Sequence, residues 1–340
     1  MLSKPRAESA KIPRTAAARG FKALIRTSSV YIALLVICAG LSVVSPFFLT
    51  AANLVNVLLQ AATVSIIAAG FTVVLIAGEI DLSIGSLIGM TGSVSAVLII
   101  QAGYPVPVGI AAGLLAGMAA GLFNGLVTVI FQIPSFVVTL AMLGMAQGAG
   151  LLLTNGRPVS GFPESYSVIG QGRLGPIPLP IIIALVAYVA IHLLLSKTKF
   201  GVQVYAVGGS RRAAELAGIR VSRVIISCFV ISGVCSAVAG IVLSSRLDAG
   251  NGNFGATNLL DAVAAAVVGG TSLMGGVGSV IGTLAGVLII SAIRNGLVLL
   301  NVQAFWQQVA VGAIIVLAVV INQIVRGEFR LSSIRRALKR

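Results

Sequence analysis

Long apolar runs, interrupted by short polar breaks, set the pattern of this chain. Runs of membrane-spanning length cover roughly 30–48, 54–77, 83–101, 106–131, 135–153, 179–196, 222–245, 258–274, 277–299 and 304–325. A helix needs about 20 apolar residues to cross a hydrocarbon core. The breaks fall at Ser45-Pro46, at Gly78 through Asp81, at Gly103 through Pro107, at Gln132 through Pro134, and at charged loops. Spanning strands would instead show segments of about 10 residues with alternating hydrophobicity. The pattern predicts an all-α polytopic membrane protein with about ten transmembrane helices. The eighth run is short and ends in glycine, so it is a candidate to re-enter the membrane rather than cross it.

Composition agrees: 58% of residues are hydrophobic, 9% are charged, and the mean hydropathy is +1.08. A soluble domain carries about 25% charged residues. The net charge of +15 raises the question of nucleic acid, but its distribution points to membrane topology instead. Of 23 basic residues, seven lie in 1–30, six in 196–224 and six in 326–340. Short basic segments beside apolar spans mark the cytoplasmic side, and the same charges suit anionic lipid. Ten crossings place both termini and the 196–224 loop on that side. The expected organisation is a basic cytoplasmic tail (1–29), a transmembrane domain (30–325) and a second basic tail (326–340). The domain carries a cytoplasmic loop at 197–221 and an outer loop at 154–178. Segment 246–257, rich in glycine, also falls outside.

Small residues recur every four positions: Gly113, Gly117, Gly121 and Gly125; Gly278, Gly282 and Gly286; Gly85 and Gly89; Gly144 and Gly148. This spacing puts them on one helix face, where backbones approach closely. Residues 78–93 and 269–286 also echo one another, each a glycine-rich break followed by a glycine-rich helix. Paired halves of this kind occur in transporters.

Several chemistries lack their residues. No G-x-x-x-x-G-K-[ST] run is present to cradle nucleotide phosphates. The sole histidine, His192, sits in an apolar run away from any Cys or carboxylate cluster, which leaves no metal set. Cys38, Cys228 and Cys235 lie in apolar runs and read as small packing residues.

Two polar stretches stand out. In "AGEIDLSIGS" (77–86), Glu79 and Asp81 separate long segments without any charge. The span count puts this bend near the cytoplasmic face, where an acid can be hydrated at modest cost. Asp81 with Ser83 is placed to cap the third helix; gating and proton coupling are the other roles open to it. Asp261 is the remaining acid within the runs. In "YAVGGSRRAAELAGIRVSR" (205–223), Ser210 is an N-cap candidate, 211–217 are helix formers and Gly218 is a stop. This predicts a two-turn cytoplasmic helix, either a plain connector or an element presented to a partner.

The chain resembles the membrane permeases of bacterial ATP-binding-cassette importers for monosaccharides, the ribose, xylose, arabinose and galactose group. The resemblance rests on "AGEIDLSIGS", on "YAVGGSRRAAELAGI" (205–219) and on "LLDAVAAAVVGGTSLMGGVGSVIGTLAGVLIISAIRNGLVLLNV" (259–302). It covers nearly all of the chain except the basic tails. It implies a non-enzymatic transport subunit in a bacterial inner membrane, working with a second copy or a paralogous permease. An ATPase binds inside and a periplasmic sugar-binding protein docks outside. No cofactor belongs to this chain, since ATP and Mg would be bound by the partner ATPase, and no nucleic acid is involved. Ser210, Arg211, Arg212, Glu215 and Gly218 would form the ATPase-coupling helix. Glu79, Asp81, Ser83 and Asp261 are motif or gate candidates. Glu79 stands where the group commonly has a second glycine (G-G-I-D-L-S). A related group importing branched-chain amino acids has asparagine and histidine in the corresponding motif. A sugar path needs uncharged polar partners, and Asn56, Gln60, Ser65, Asn124 and Asn295 are candidates, each equally able to serve as an interhelical hydrogen bond. The same architecture could carry a nucleoside, an amino acid or a signalling sugar. A self-sufficient carrier driven by a gradient through Glu79, Asp81 or Asp261 is the alternative from another class. A non-transporting scaffold or receptor is the third.

Overall fold

The computed structural model describes residues 16–325; the expected tail 326–340 and the first part of the other tail lie outside the described residues. Thirteen α-helices follow in order: α1 (Ala16–Val44), α2 (Ala51–Ile76), α3 (Ile84–Ala96), α4 (Val106–Ile130), α5 (Ser135–Leu153), α6 (Glu164–Gln171), α7 (Leu179–Lys197), α8 (Lys199–Gly209), α9 (Arg211–Leu216), α10 (Val221–Leu247), α11 (Ala256–Val268), α12 (Val280–Leu299) and α13 (Ala304–Val325). A π-turn, Val97–Gln101, extends α3.

The predicted breaks form as local chemistry dictates. Thr50 caps α2 by accepting from the Asn53 N–H, and Ser279 caps α12 by accepting from that of Gly282. Prolines precede or open α4, α5 and α7, where the missing N–H costs nothing. Among the described residues, seven helices are long and apolar enough to cross a membrane: α2, α3 with its π-turn, α4, α5, α7, α10 and α12. The first, eighth and tenth expected spans carry shorter apolar helices, at Val30–Val44, Ala256–Val268 and Ala304–Leu317. α11 has 13 residues, about 20 Å, which is short of the hydrocarbon thickness. This agrees with the short eighth run. α1 begins within the segment expected as an N-terminal tail.

α2 and α10 form the centre. Every residue from Ala61 to Ala77 is buried, and α10 packs against α2, α3 and α4. The glycine stripe of α4 makes that last contact. A Cβ on Gly117 would meet the Gly233 carbonyl of α10 at 2.6 Å, and one on Gly121 would collide with that of Phe229. Gly85 and Gly89 likewise seat the segment Gly252–Leu259. Gly144 and Gly148 are different, with nothing within 4 Å of an added Cβ. α4, α5 and α7 instead turn large apolar side chains outward, among them Leu115, Phe123, Phe136, Leu140 and Leu185. Apolar exposure on this scale suits lipid or a partner.

The loops expected outside, 154–178 and 246–257, build one platform. Strand β1 (Val159–Ser160) pairs antiparallel with β4 (Ala249–Gly250), and β2 (Arg173–Leu174) pairs with β3 (Ile177–Pro178). Asp248 accepts from the Phe162 N–H at 2.9 Å. The buried Tyr166 stacks on Phe162 and bonds Ser244 through its hydroxyl at 2.7 Å.

Candidate functional site

Residues 77–83 leave α2 through Gly78, whose φ of +81° suits a residue without a Cβ. The backbone that follows hangs on α5. Ile80 N–H donates to Ser135 Oγ at 3.1 Å, and Leu82 N–H donates to Thr139 Oγ1 at 3.0 Å. Ser135 and Thr139 sit four apart just after Pro134, so both face the loop.

Asp81 is fully buried. One carboxylate oxygen accepts from Ser83 N–H at 3.0 Å and from Ser83 Oγ at 2.6 Å; the other accepts from Ser232 Oγ of α10 at 2.8 Å. Asn124 of α4 donates to Ser83 Oγ at 3.0 Å. Among the described residues, no cation pairs with Asp81. A buried ion costs several kcal/mol, and here hydroxyl and amide donors offset that cost. The expected hydrated acid is therefore absent from this bend. The expected capping pair exists in altered form, because Asp81 closes a turn onto Ser83 and Ser83 makes no side-chain cap of its own. The reason is depth: the loop folds back between α4, α5 and α10, out of reach of water.

Glu79 is buried as well, 4% exposed, and pairs with Arg211 at the start of α9. It lies in the break between helices. Burial is the largest influence and pushes its carboxyl above the ordinary range, while Ser135 and Arg211 pull it back. α9 itself matches expectation. Ser210 accepts from the Ala213 N–H, the helix spans six residues, and Gly218 follows with φ +80°. Arg212 and Glu215 face solvent and approach to 3.8 Å. Not anticipated was α8, which starts at a Thr198 cap and delivers Gly208 against the end of α2. A Cβ on Gly208 would collide with the Ile76 carbonyl, and that same carbonyl accepts from Gly276 N–H at 2.9 Å. Three polypeptide breaks, 77–79, 208–211 and 275–276, therefore meet at one point. The two segments that echo in sequence touch in space.

The other candidates separate. Asp261 of α11 pairs with Arg294 of α12 at 2.7 Å; Arg294 was not among the expected site residues. Asn295 exchanges both amide bonds with Asn53 at 2.8 and 2.9 Å, which locks α12 to α2. Asn53 was missed too, although a second polar residue in an apolar helix was the available signal. Ser65 and Asn124 are buried; Asn56 and Gln60 are exposed, one turn apart on α2. No group of three or more His, Cys, Asp or Glu side chains suited to a metal occurs among the described residues.

Comparison with known proteins gives this geometry a family. The model of the branched-chain amino acid transport system / permease component matches residues 53–319. The ribose import permease protein RbsC of Bacillus subtilis is 39% identical over 305 residues, covering 89% of this chain and 94% of its own. The probable ABC transporter permease protein YphD of Escherichia coli is 45% identical over 298 residues, covering 86% and 89%. The L-arabinose ABC transporter permease protein AraH of Azospirillum brasilense is 38% identical over 316 residues, covering 93% and 91%. No solved structure matches. The chain belongs to this permease family, as a multi-pass membrane transport subunit rather than an enzyme.

Proposed function

We propose that the chain is the translocation subunit of an ATP-driven importer for a monosaccharide in a bacterial inner membrane. The observation that carries the reading furthest is the join between α9 and the 77–83 break. A short, capped helix on the surface reaches, through Arg211 and Glu79, the loop that holds Asp81 between α4, α5 and α10. A push on α9 by an ATPase would therefore arrive at the centre of the bundle. The relatives named for ribose and arabinose favour a sugar, in line with the I-D-L-S run.

In this reading ten apolar helices lie in the membrane, with α11 entering partway, and both termini face the cytoplasm. Arg211, Arg212 and Glu215 meet the ATPase, which binds ATP and Mg. The β1–β4 platform with α6 receives the sugar-binding protein, and a second permease copy completes the path. Alternating access then opens the pair to each side in turn, with no covalent chemistry in this chain. Asn56 and Gln60, the exposed pair on α2, are the best placed of the path candidates to meet a hydroxylated solute.

Pull-down of the tagged chain from native membranes in mild detergent tests the partner. A stoichiometric P-loop ATPase is expected, and it is expected to disappear in Arg212→Glu/Glu215→Arg. Labelled ribose, xylose and arabinose uptake into vesicles then tests the solute. Uptake that collapses with a protonophore while ATP is maintained would overturn the reading in favour of a gradient-driven carrier.

A further inference from the structure

We propose that the groove between α8 and the first turns of α10 is a binding site for the phosphate headgroup of an anionic phospholipid. The groove has a volume of about 320 Å³ and is lined by Phe200, Gln203, Arg220, Arg223, Val224 and Ser227, with Gly218, the stop after α9, at its edge. Two arginines stand in it three residues apart, both exposed. Neither forms an ion pair among the described residues; the nearest acid along the chain, Glu215, approaches Arg212 instead. No carboxylate lines the groove.

Position decides the ligand. α10 is long and apolar enough to cross a membrane and begins at Val221, which puts Arg220 and Arg223 at the end of a span, where headgroups lie. Val224 and Ser227 lie further into the same span, Ser227 about 6 Å beyond Arg223 along the helix axis. The groove is thus cationic at its mouth and mixed below. Phe200 and Val224 offer apolar walls, and Gln203 and Ser227 offer donors to the glycerol and ester oxygens. Guanidinium groups suit phosphate through paired N–H donors, the positive end of the long α10 adds to the field, and basic pockets between spans take anionic headgroups. The neighbouring α8 also exposes Val202, a surface suited to acyl chains. The site stands whichever leaflet it faces and does not depend on which solute is carried.

The test uses the full chain in nanodiscs of phosphatidylcholine with a minority of phosphatidylglycerol, followed by extraction and native mass spectrometry of retained lipid. Arg220→Gln/Arg223→Gln is expected to lower phosphatidylglycerol retention by about tenfold or more. Arg220→Lys/Arg223→Lys should keep most of it. Lys197→Gln/Lys199→Gln removes the same charge from exposed positions outside the groove and should leave retention intact. Equal losses in the two Gln pairs would reduce the effect to general surface charge and overturn the site. Displacement of the lipid by inorganic phosphate or soluble glycerophosphate at millimolar level would assign the groove to free anions and overturn the lipid. Unchanged lipid retention with loss of ATPase co-purification would make it a protein contact, also against the proposal.

Discussion

At the residue scale, the two acids of the 77–83 break divide the work. Asp81 is held by three donated hydrogen bonds and, among the described residues, by no cation. Asp81→Ala leaves the Ser83 and Ser232 donors without their acceptor, at about 1–3 kcal/mol for each group that finds no other partner. Asp81→Asn keeps an acceptor oxygen and removes the buried charge. Thermal unfolding in detergent should therefore show Asp81→Ala several degrees below the parent and Asp81→Asn closer to it; the reverse order would mean that charge, not hydrogen bonding, holds the break. Glu79 behaves differently because its carboxyl is raised by burial. In the window between the ordinary carboxylate value and the raised one, the folded chain holds more protons than the unfolded chain. Stability then falls as pH rises through that window and stays lower above it. Glu79→Gln should remove this slope, so its unfolding temperature gains on the parent as pH rises, while transport falls because the link to Arg211 is lost. A pH series of unfolding curves beside ATP-dependent uptake separates the two effects; a parallel slope in the variant would sink the assignment.

At the element scale, glycine spacing alone does not say which stripe is a contact. The α4 stripe meets α10 directly, whereas Gly144 and Gly148 on α5 face open space in the single chain. Gly121→Ala forces a methyl group against the Phe229 carbonyl and should cost about 1–3 kcal/mol as overpacking does. Gly144→Ala, with no contact to offend, should instead stabilise by about 0.5–1 kcal/mol through helix propensity. Denaturant midpoints of the two variants in the same detergent make the comparison, and equal effects would contradict the α4–α10 packing. The same scale explains why α8 escaped the sequence. Its span, 199–209, holds Gly201, Gly208 and Gly209, which weaken helix propensity; the helix forms because Val204 and Val207 are buried and the glycines allow close approach.

At the scale of the whole molecule, the meeting of 77–79, 208–211 and 275–276 ties the surface helix α9 to both halves of the echo. Loops 154–178 and 246–257 are joined in the same way, by the β1–β4 ladder and by Asp248, which accepts from the Phe162 N–H. The sequence by itself determined the helical membrane class, most span positions, the short eighth run, and α9 with its Ser210 cap and Gly218 stop. Those features are local: run length, spacing and cap chemistry act within a few residues. Asp261 and Asn295 were legible as unusual polar positions, but their partners Arg294 and Asn53 were not. The same holds for Ser232, Ser135 and Thr139 around the break. Only the tertiary structure decided that Glu79 reaches Arg211, that Asp81 is fully buried, and that Asn295 bonds Asn53 across two helices. The reason is physical. In an apolar bundle a polar side chain must find a partner, and which partner it finds depends on the depth and rotation of helices that may be 242 residues apart, as Asn53 and Asn295 are, a relation that no local pattern records.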